Sequence, residues 1–147
     1  MSLVVRGSYG IDTELWYPQE GDYWLAPTNS GYRVGFDSLG LEVSGTLSHF
    51  AFVGVGTRVN QGDPMGTLEA EKFVGPISAP VSGVISALND EALAQPSLLY
   101  RDPYRTWLVT IDEVPKDEVS ALLTGDAAVN HFFERVEEYR RMGVLAQ

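Results

Sequence analysis

The sequence predicts a mainly β domain closed by one C-terminal α-helix, and three observations predict it. Fifteen glycines and eight prolines are spread through 147 residues and interrupt short apolar runs, the texture of many short strands joined by tight turns. Those runs have strand length rather than helix length. Apolar residues at sustained helical spacing occur only near the end of the chain. With 44% apolar residues and no repeat, low-complexity tract or linker, the chain is expected to form one domain over 1–147.

The elements follow in order. Strands are expected at Tyr32 to Phe36, Gly45 to Val55, Gly66 to Glu71, Gly83 to Leu88 and Thr106 to Ile111. Within Gly45 to Val55, the consecutive apolar residues Phe50, Ala51, Phe52 and Val53 predict a strand buried on both faces. Asn60-Gln61-Gly62-Asp63-Pro64 is a turn, and Pro76 to Gly83 should bend sharply. Asn89 or Asp90 caps a short helix through Ala94 that Pro96 stops. Pro115 to Leu123 is a second short helix. In the final helix Asp126 is the expected N-cap, Val129, Phe132, Phe133, Val136 and Tyr139 share one face, and Gly143 is the C-cap. The aromatic residues Tyr9, Trp16, Tyr17, Tyr23, Trp24 and Tyr32 read as an N-terminal lid packed on the strands.

Charge and composition exclude several function classes. A formal charge of −10 repels phosphate backbones and anionic lipid, so neither nucleic acid nor membrane is an expected partner. The lack of cysteine excludes disulfides, thiolate metal sites and a cysteine nucleophile. No segment has the length and hydropathy of a membrane span and the N-terminus lacks a secretory pattern, so a cytoplasmic protein is expected. His49 and His131 are the only histidines and lack metal-ligand spacing; structural roles are expected for both, with no metal site and no catalytic residue. Gly54-x-Gly56 lacks the third glycine and the helix of a dinucleotide fingerprint.

Lysine is rare here: only Lys72 and Lys116 occur. Lys72 lies in Gly62-Asp-Pro-Met-Gly66-Thr-Leu-Glu69-Ala-Glu71-Lys72-Phe-Val-Gly75-Pro-Ile-Ser-Ala-Pro80-Val-Ser-Gly83, read as a strand, a turn at Glu71 to Gly75, and a second strand. A lysine at such a tip projects into solvent on a rigid base, the placement a carrier arm needs. The plainer alternative is a solvated surface lysine offset by Glu69 and Glu71.

The region resembles the attachment segment of the glycine cleavage H-protein family. Relative to Lys72, glycines stand ten and six residues before (Gly62, Gly66), a glutamate three before (Glu69), a proline eight after (Pro80), and Val81-Ser82-Gly83 ends at the eleventh position. Upstream, Val34-Gly35, Gly45 and Gly56 match without insertion. Downstream, Asn89, Leu93, Pro96, Asp102-Pro103-Tyr104 and Trp107-Leu108 follow the family's run. The resemblance spans roughly residues 14 to 138. Departures are Glu14-Leu15-Trp16 in place of His-Glu-Trp, about eight extra residues between Gly21 and Val34, Asp37-Ser38-Leu39-Gly40-Leu41 in place of Thr-Asp-Tyr-Ala-Gln, Phe73-Val74-Gly75-Pro76 after the lysine, and Glu71 where valine is usual.

The resemblance implies a barrel-sandwich hybrid of the lipoyl-domain type, with a barrel core at about 30–112 and a C-terminal helical segment at about 115–143. It implies lipoic acid joined covalently to Lys72, with Glu69, Glu71, Gly66 and Gly83 supporting the attachment hairpin. Such a chain is a non-catalytic carrier component of the glycine cleavage system that shuttles the aminomethyl group of glycine on its lipoyl-lysine arm. The implied partners are glycine decarboxylase, aminomethyltransferase, dihydrolipoyl dehydrogenase and a lipoate ligase or lipoyltransferase, with the carrier itself a monomer. Two alternatives stay open: an H-like lipoyl carrier of another pathway such as sulfur metabolism, and an unlipoylated binding or scaffold module. The Met-Lys-Met signature of biotin attachment is absent.

Overall fold

A computed structural model describes residues 1–145, so the last two positions of the expected 1–147 span lie outside the described residues. Ten strands and five helices follow one another as β1 (Leu3–Arg6), β2 (Tyr9–Asp12), β3 (Tyr23–Pro27), β4 (Gly31–Phe36), α1 (Ser38–Ser44), β5 (Leu47–Phe52), β6 (Arg58–Val59), β7 (Pro64–Ala70), β8 (Val74–Ser78), β9 (Gly83–Leu88), α2 (Asp90–Ala94), α3 (Ser97–Arg101), β10 (Val109–Asp112), α4 (Lys116–Ser120) and α5 (Gly125–Met142) among the described residues. Every strand pairing is antiparallel. A five-stranded sheet runs β3-β4-β10-β9-β6, a three-stranded sheet runs β5-β7-β8, and β1-β2 form a separate hairpin.

The two larger sheets enclose one apolar core. Leu47, Phe50, Met65, Leu68 and Ile77 from the small sheet meet Leu25, Val34, Val59, Ile85, Val109 and Ile111 from the large one. This is the sandwich that the short strands require, because each sheet alone would leave one apolar face in water. A second cluster lies outside the large sheet, where Tyr9 and Ile11 of β2 pack with Trp24, Leu39 and the inner face of α5. Strand β3 serves both: Tyr23 and Leu25 face the barrel core while Trp24 and Ala26 face the outer cluster. The predicted aromatic lid is therefore divided. Tyr9, Tyr17 and Trp24 belong to the outer cluster, Tyr23 to the core, and Trp16 packs at a tilt on Tyr32, ring centroids 5.3 Å apart, against that core.

The mainly β architecture with short helices and a C-terminal helix is as expected, with several local corrections. Strand β5 is buried on one face only: Leu47 and Phe50 point inward, while Ser48, His49 and Ala51 are exposed. The small sheet packs on the core with one face only, so the other face of β5 meets solvent. Pro76 lies within β8 rather than in the bend, which an edge strand tolerates because no ladder bond is lost on its open side. The bend itself falls at 79–82. The last strand starts at Val109, later than Thr106, whose amide is instead engaged in a turn onto the Asp102 carbonyl at 3.0 Å.

Helix ends follow local chemistry. The Asn89 side chain accepts from the Ala92 amide as predicted, and α2 stops before Pro96 because a proline disfavours helical backbone in the residue preceding it. In α5 the N-cap is Thr124 rather than Asp126; Asp126 sits in the first turn, where its charge favours the helix dipole. Gly143 ends α5 in the left-handed conformation, φ 74°, as expected of a C-cap glycine. Five features were not foreseen: the β1-β2 hairpin, β3, β6, α3, and α1, which is capped by the Asp37 carboxylate accepting from the Gly40 amide at 2.8 Å.

Candidate functional site

Lys72 stands at the tip of the β7-β8 hairpin, in the turn between Ala70 and Val74. The Ala70 amide closes the turn onto the Phe73 carbonyl at 2.8 Å. Two further amides reach out of the hairpin: Glu71 donates to Thr46 at 2.8 Å and Lys72 to Ser44 at 2.9 Å. The backbone under the lysine is thus tied to the segment that joins α1 to β5. Its side chain is exposed and enters no ion pair among the described residues. The pairing with Glu69 or Glu71 that a plain surface lysine could make is not formed.

The other residues predicted for the site fall in different places. Glu71 adjoins Lys72 over Gly45, while Glu69 is exposed on β7 opposite His49. Gly66 is not at a turn but in β7, where a Cβ would lie 2.4 Å from the Ala51 carbonyl oxygen. The sheet requires a bare Cα at that approach. Gly83 does not belong to the hairpin at all. It opens β9 in the five-stranded sheet, and a Cβ there would meet the Asp112 carbonyl oxygen at 2.2 Å. Phe73 and Val74, which follow the lysine, are both exposed.

A groove of about 1260 Å³ opens beside the lysine. Lys72, Phe73, Ile77 and Leu68 line the hairpin side, while Tyr139, Met142 and Val144 line the side formed by the end of α5. Its wall between them includes Asp22, Tyr23 and Phe36. Apolar side chains and a few polar ones meet there at the foot of a free amine, a lining suited to a flexible chain with a polar end.

The far wall is held by a buried charge cluster. Arg135 of α5 pairs with Asp22 and with Asp37, the latter at 2.7 Å, and the Asp37 side chain is fully buried. The Tyr139 hydroxyl donates to Asp22 at 3.1 Å. Burial, and next the neighbouring Asp37 carboxylate, push Asp22 up to about 6 against the pull of Arg135. For Arg135 burial acts against the charge, but the two carboxylates outweigh it and raise the guanidinium above its ordinary value. Sequence reasoning missed this cluster because its members are separated by up to 117 residues and carry no local spacing signal. It also missed Ser44, Thr46 and Tyr100 at the base of the hairpin, although Gly45 between them was visible as a matching glycine.

Comparison with known proteins agrees with this geometry. The family model described as "Glycine cleavage H-protein" matches residues 15–135. The chain is 33% identical over 136 residues to the probable glycine cleavage system H protein 2 of Sulfolobus acidocaldarius, covering 90% of this chain and 91% of that one. It is 31% identical over 135 residues to glycine cleavage system H protein 3 of Aquifex aeolicus, covering 88% and 84%. Among solved structures, that of a glycine cleavage system H protein from Mycobacterium marinum superposes with a TM-score of 0.68 at 30% identity, covering 85% of this chain and 98% of that one. With its sandwich of antiparallel sheets, its hairpin lysine and these relatives, the chain belongs to the glycine cleavage H-protein family.

Proposed function

We propose that this chain is the lipoyl carrier of a glycine cleavage system, with lipoic acid joined to Lys72 through an amide. The observation that carries the reading is the tip placement of Lys72: its backbone amide is tied down at 2.9 Å while its amine is exposed and without an ion pair among the described residues. The groove at the lysine supports the same reading, since an acyl chain of lipoyl size fits its volume and its apolar lining. When attached, the group supplies a dithiolane whose sulfur accepts the aminomethyl unit derived from glycine.

Apart from the amide that Lys72 forms with the lipoyl group, the chain's own residues make and break no bonds. Lys72 sets where the arm begins and loses its charge on acylation. The hairpin keeps that origin fixed while leaving it open to partners, and the apolar flank formed by Leu68, Phe73 and Ile77 keeps water from one side of the groove. The chain is the carrier component of the multienzyme system, and its partners are glycine decarboxylase, aminomethyltransferase, dihydrolipoyl dehydrogenase and the enzyme that attaches the lipoyl group. Barrel and outer cluster act as one domain because β3 contributes side chains to both. The protein works as a cytoplasmic monomer; the described residues include no helix long and apolar enough to cross a membrane.

Intact-mass spectrometry of the protein from its native host, with peptide mapping over Lys72, tests the proposal. A mass increase of one lipoyl group on Lys72 is expected. An unmodified Lys72, in cells whose other lipoyl proteins are modified, would overturn it. The exposed Glu69 and Glu71 give the attaching enzyme an acidic feature to read; exchanging both for glutamine should slow lipoylation by purified ligase, and an unchanged rate would reject that role.

A further inference from the structure

We propose that Tyr100 and Gly45 form a clasp that positions Lys72 for acylation, an inference that rests on Lys72 being the acylated lysine. The turn that carries Lys72 is held by carbonyls on both sides of one residue: Ser44 accepts from Lys72 and Thr46 from Glu71, and Gly45 lies between them. The carbonyl of Gly45 itself accepts from the Tyr100 hydroxyl. Tyr100 comes from α3, 55 residues away in the chain, so a third element pins the strip on which the lysine turn rests.

Gly45 is also the seat of the lysine side chain. Its backbone, φ 74° and ψ −160°, is a conformation that a residue with a Cβ adopts only with strain. A Cβ there would lie 2.8 Å from Glu71 Oε1, 3.1 Å from Glu71 Cβ and 3.2 Å from Lys72 Cγ. The first bonds of the Lys72 side chain therefore pass over Gly45, in space that a side chain at position 45 would crowd. The clasp confines the amine to a restricted region above the hairpin without holding it, which reduces the orientations that an attaching enzyme must select.

In the acylation, the Lys72 ammonium gives one proton to solvent, the neutral Nζ attacks the carbonyl carbon of a lipoyl adenylate held by the ligase, and the second proton leaves to solvent from the adduct. The C–N amide bond forms, the C–O bond to the adenylate breaks, and AMP leaves. Tyr100 and Gly45 touch none of these atoms; they act through the placement of Lys72.

The test uses the full chain, a purified lipoate ligase, lipoate and ATP, with Tyr100→Phe and Gly45→Ala compared with the unaltered protein. For Tyr100→Phe, kcat should fall about fivefold with KM for the carrier within about twofold, because the docking surface is unchanged. Amide hydrogen exchange at Lys72 and Glu71 should accelerate in that variant while core amides keep their protection. A variant that was merely less stable would instead speed exchange throughout. Gly45→Ala should lower kcat further; should it fail to fold, Tyr100→Phe decides, since its side chain is 40% exposed and its ring remains. Unaltered kcat and unaltered Lys72 and Glu71 exchange in Tyr100→Phe, with the parent acylated normally, would overturn the clasp. Failure of the parent itself to be acylated on Lys72 would instead remove the carrier reading, and the clasp's role with it.

Discussion

Lys72 and Arg135 are both cations in an acidic chain, and the molecule treats them in opposite ways. Lys72 is exposed at a hairpin tip with no ion pair among the described residues, whereas the Arg135 side chain is only 12% exposed and holds two carboxylates. Each placement follows from what surrounds it. A charge withdrawn from water is tolerated only with partners that satisfy it, and Asp22 and Asp37 are there. A charge left in water needs none and contributes little to folding. The difference separates two jobs: Arg135 fastens α5 to the wall of the groove, and Lys72 is left chemically available beside it.

The largest effect on stability is expected where that contrast is broken from the buried side. Arg135→Ala leaves two carboxylates without their cation and should destabilise the fold by about 3–5 kcal/mol in chemical denaturation. A loss under about 1 kcal/mol would mean that the cluster does not fasten the helix.

Next in size is the root of the hairpin, on the exposed side of the comparison. Gly66→Ala places a Cβ 2.4 Å from the Ala51 carbonyl oxygen, so β5 and β7 must separate or shift. A destabilisation of about 1–3 kcal/mol is expected. Unchanged melting and unchanged hairpin amide exchange would show that the sheet accommodates the methyl and that glycine is not required there.

The pH response sharpens the buried side. Asp22 is raised from its ordinary 3.8 to about 6, so the folded chain binds its proton more tightly than the unfolded chain does. Its contribution to stability is full below the unfolded value and is lost as pH rises through about 6. Thermal melts of the parent and Asp22→Asn between pH 4 and pH 7 isolate this term: the parent should lose stability relative to the variant across that window. A constant difference would mean that Asp22 titrates alike in both states.

The smallest stability effect belongs to Lys72. Lys72→Ala should melt within about 0.5 kcal/mol of the parent because an exposed tip side chain buries little. The same variant should lose lipoylation and carrier activity entirely. A large drop in its melting temperature would place the lysine in the framework of the fold and undo the contrast with Arg135.

Legibility in the sequence divided along the same line. The lysine, its hairpin and the flanking glycines lie within one local stretch, so spacing alone could reveal them. Strand β9 and the C-cap at Gly143 were equally readable, because turn glycines and apolar alternation are local signals. Helix α1 was missed because Gly40 and Val43 weaken its propensity; the Asp37 cap and the burial of Leu39 and Leu41 outweigh that. The glycine at position 40 is itself demanded from outside the helix, since a Cβ would stand 2.6 Å from Asp22 Cβ. Strand β5 was misjudged because four apolar residues in a row do not say whether the sheet will be covered on one face or on both.

What the sequence by itself determined is the strand-rich class, the family, the closing helix and the lysine at a turn, all of which rest on residue types at short, fixed spacings. Only the tertiary structure decided which faces are buried, how Asp22, Asp37 and Arg135 meet, and that Gly45 and Tyr100 underlie Lys72. Those are contacts between segments far apart in the chain, and the chemistry of each partner becomes specific only when packing brings it within a few ångströms of the other.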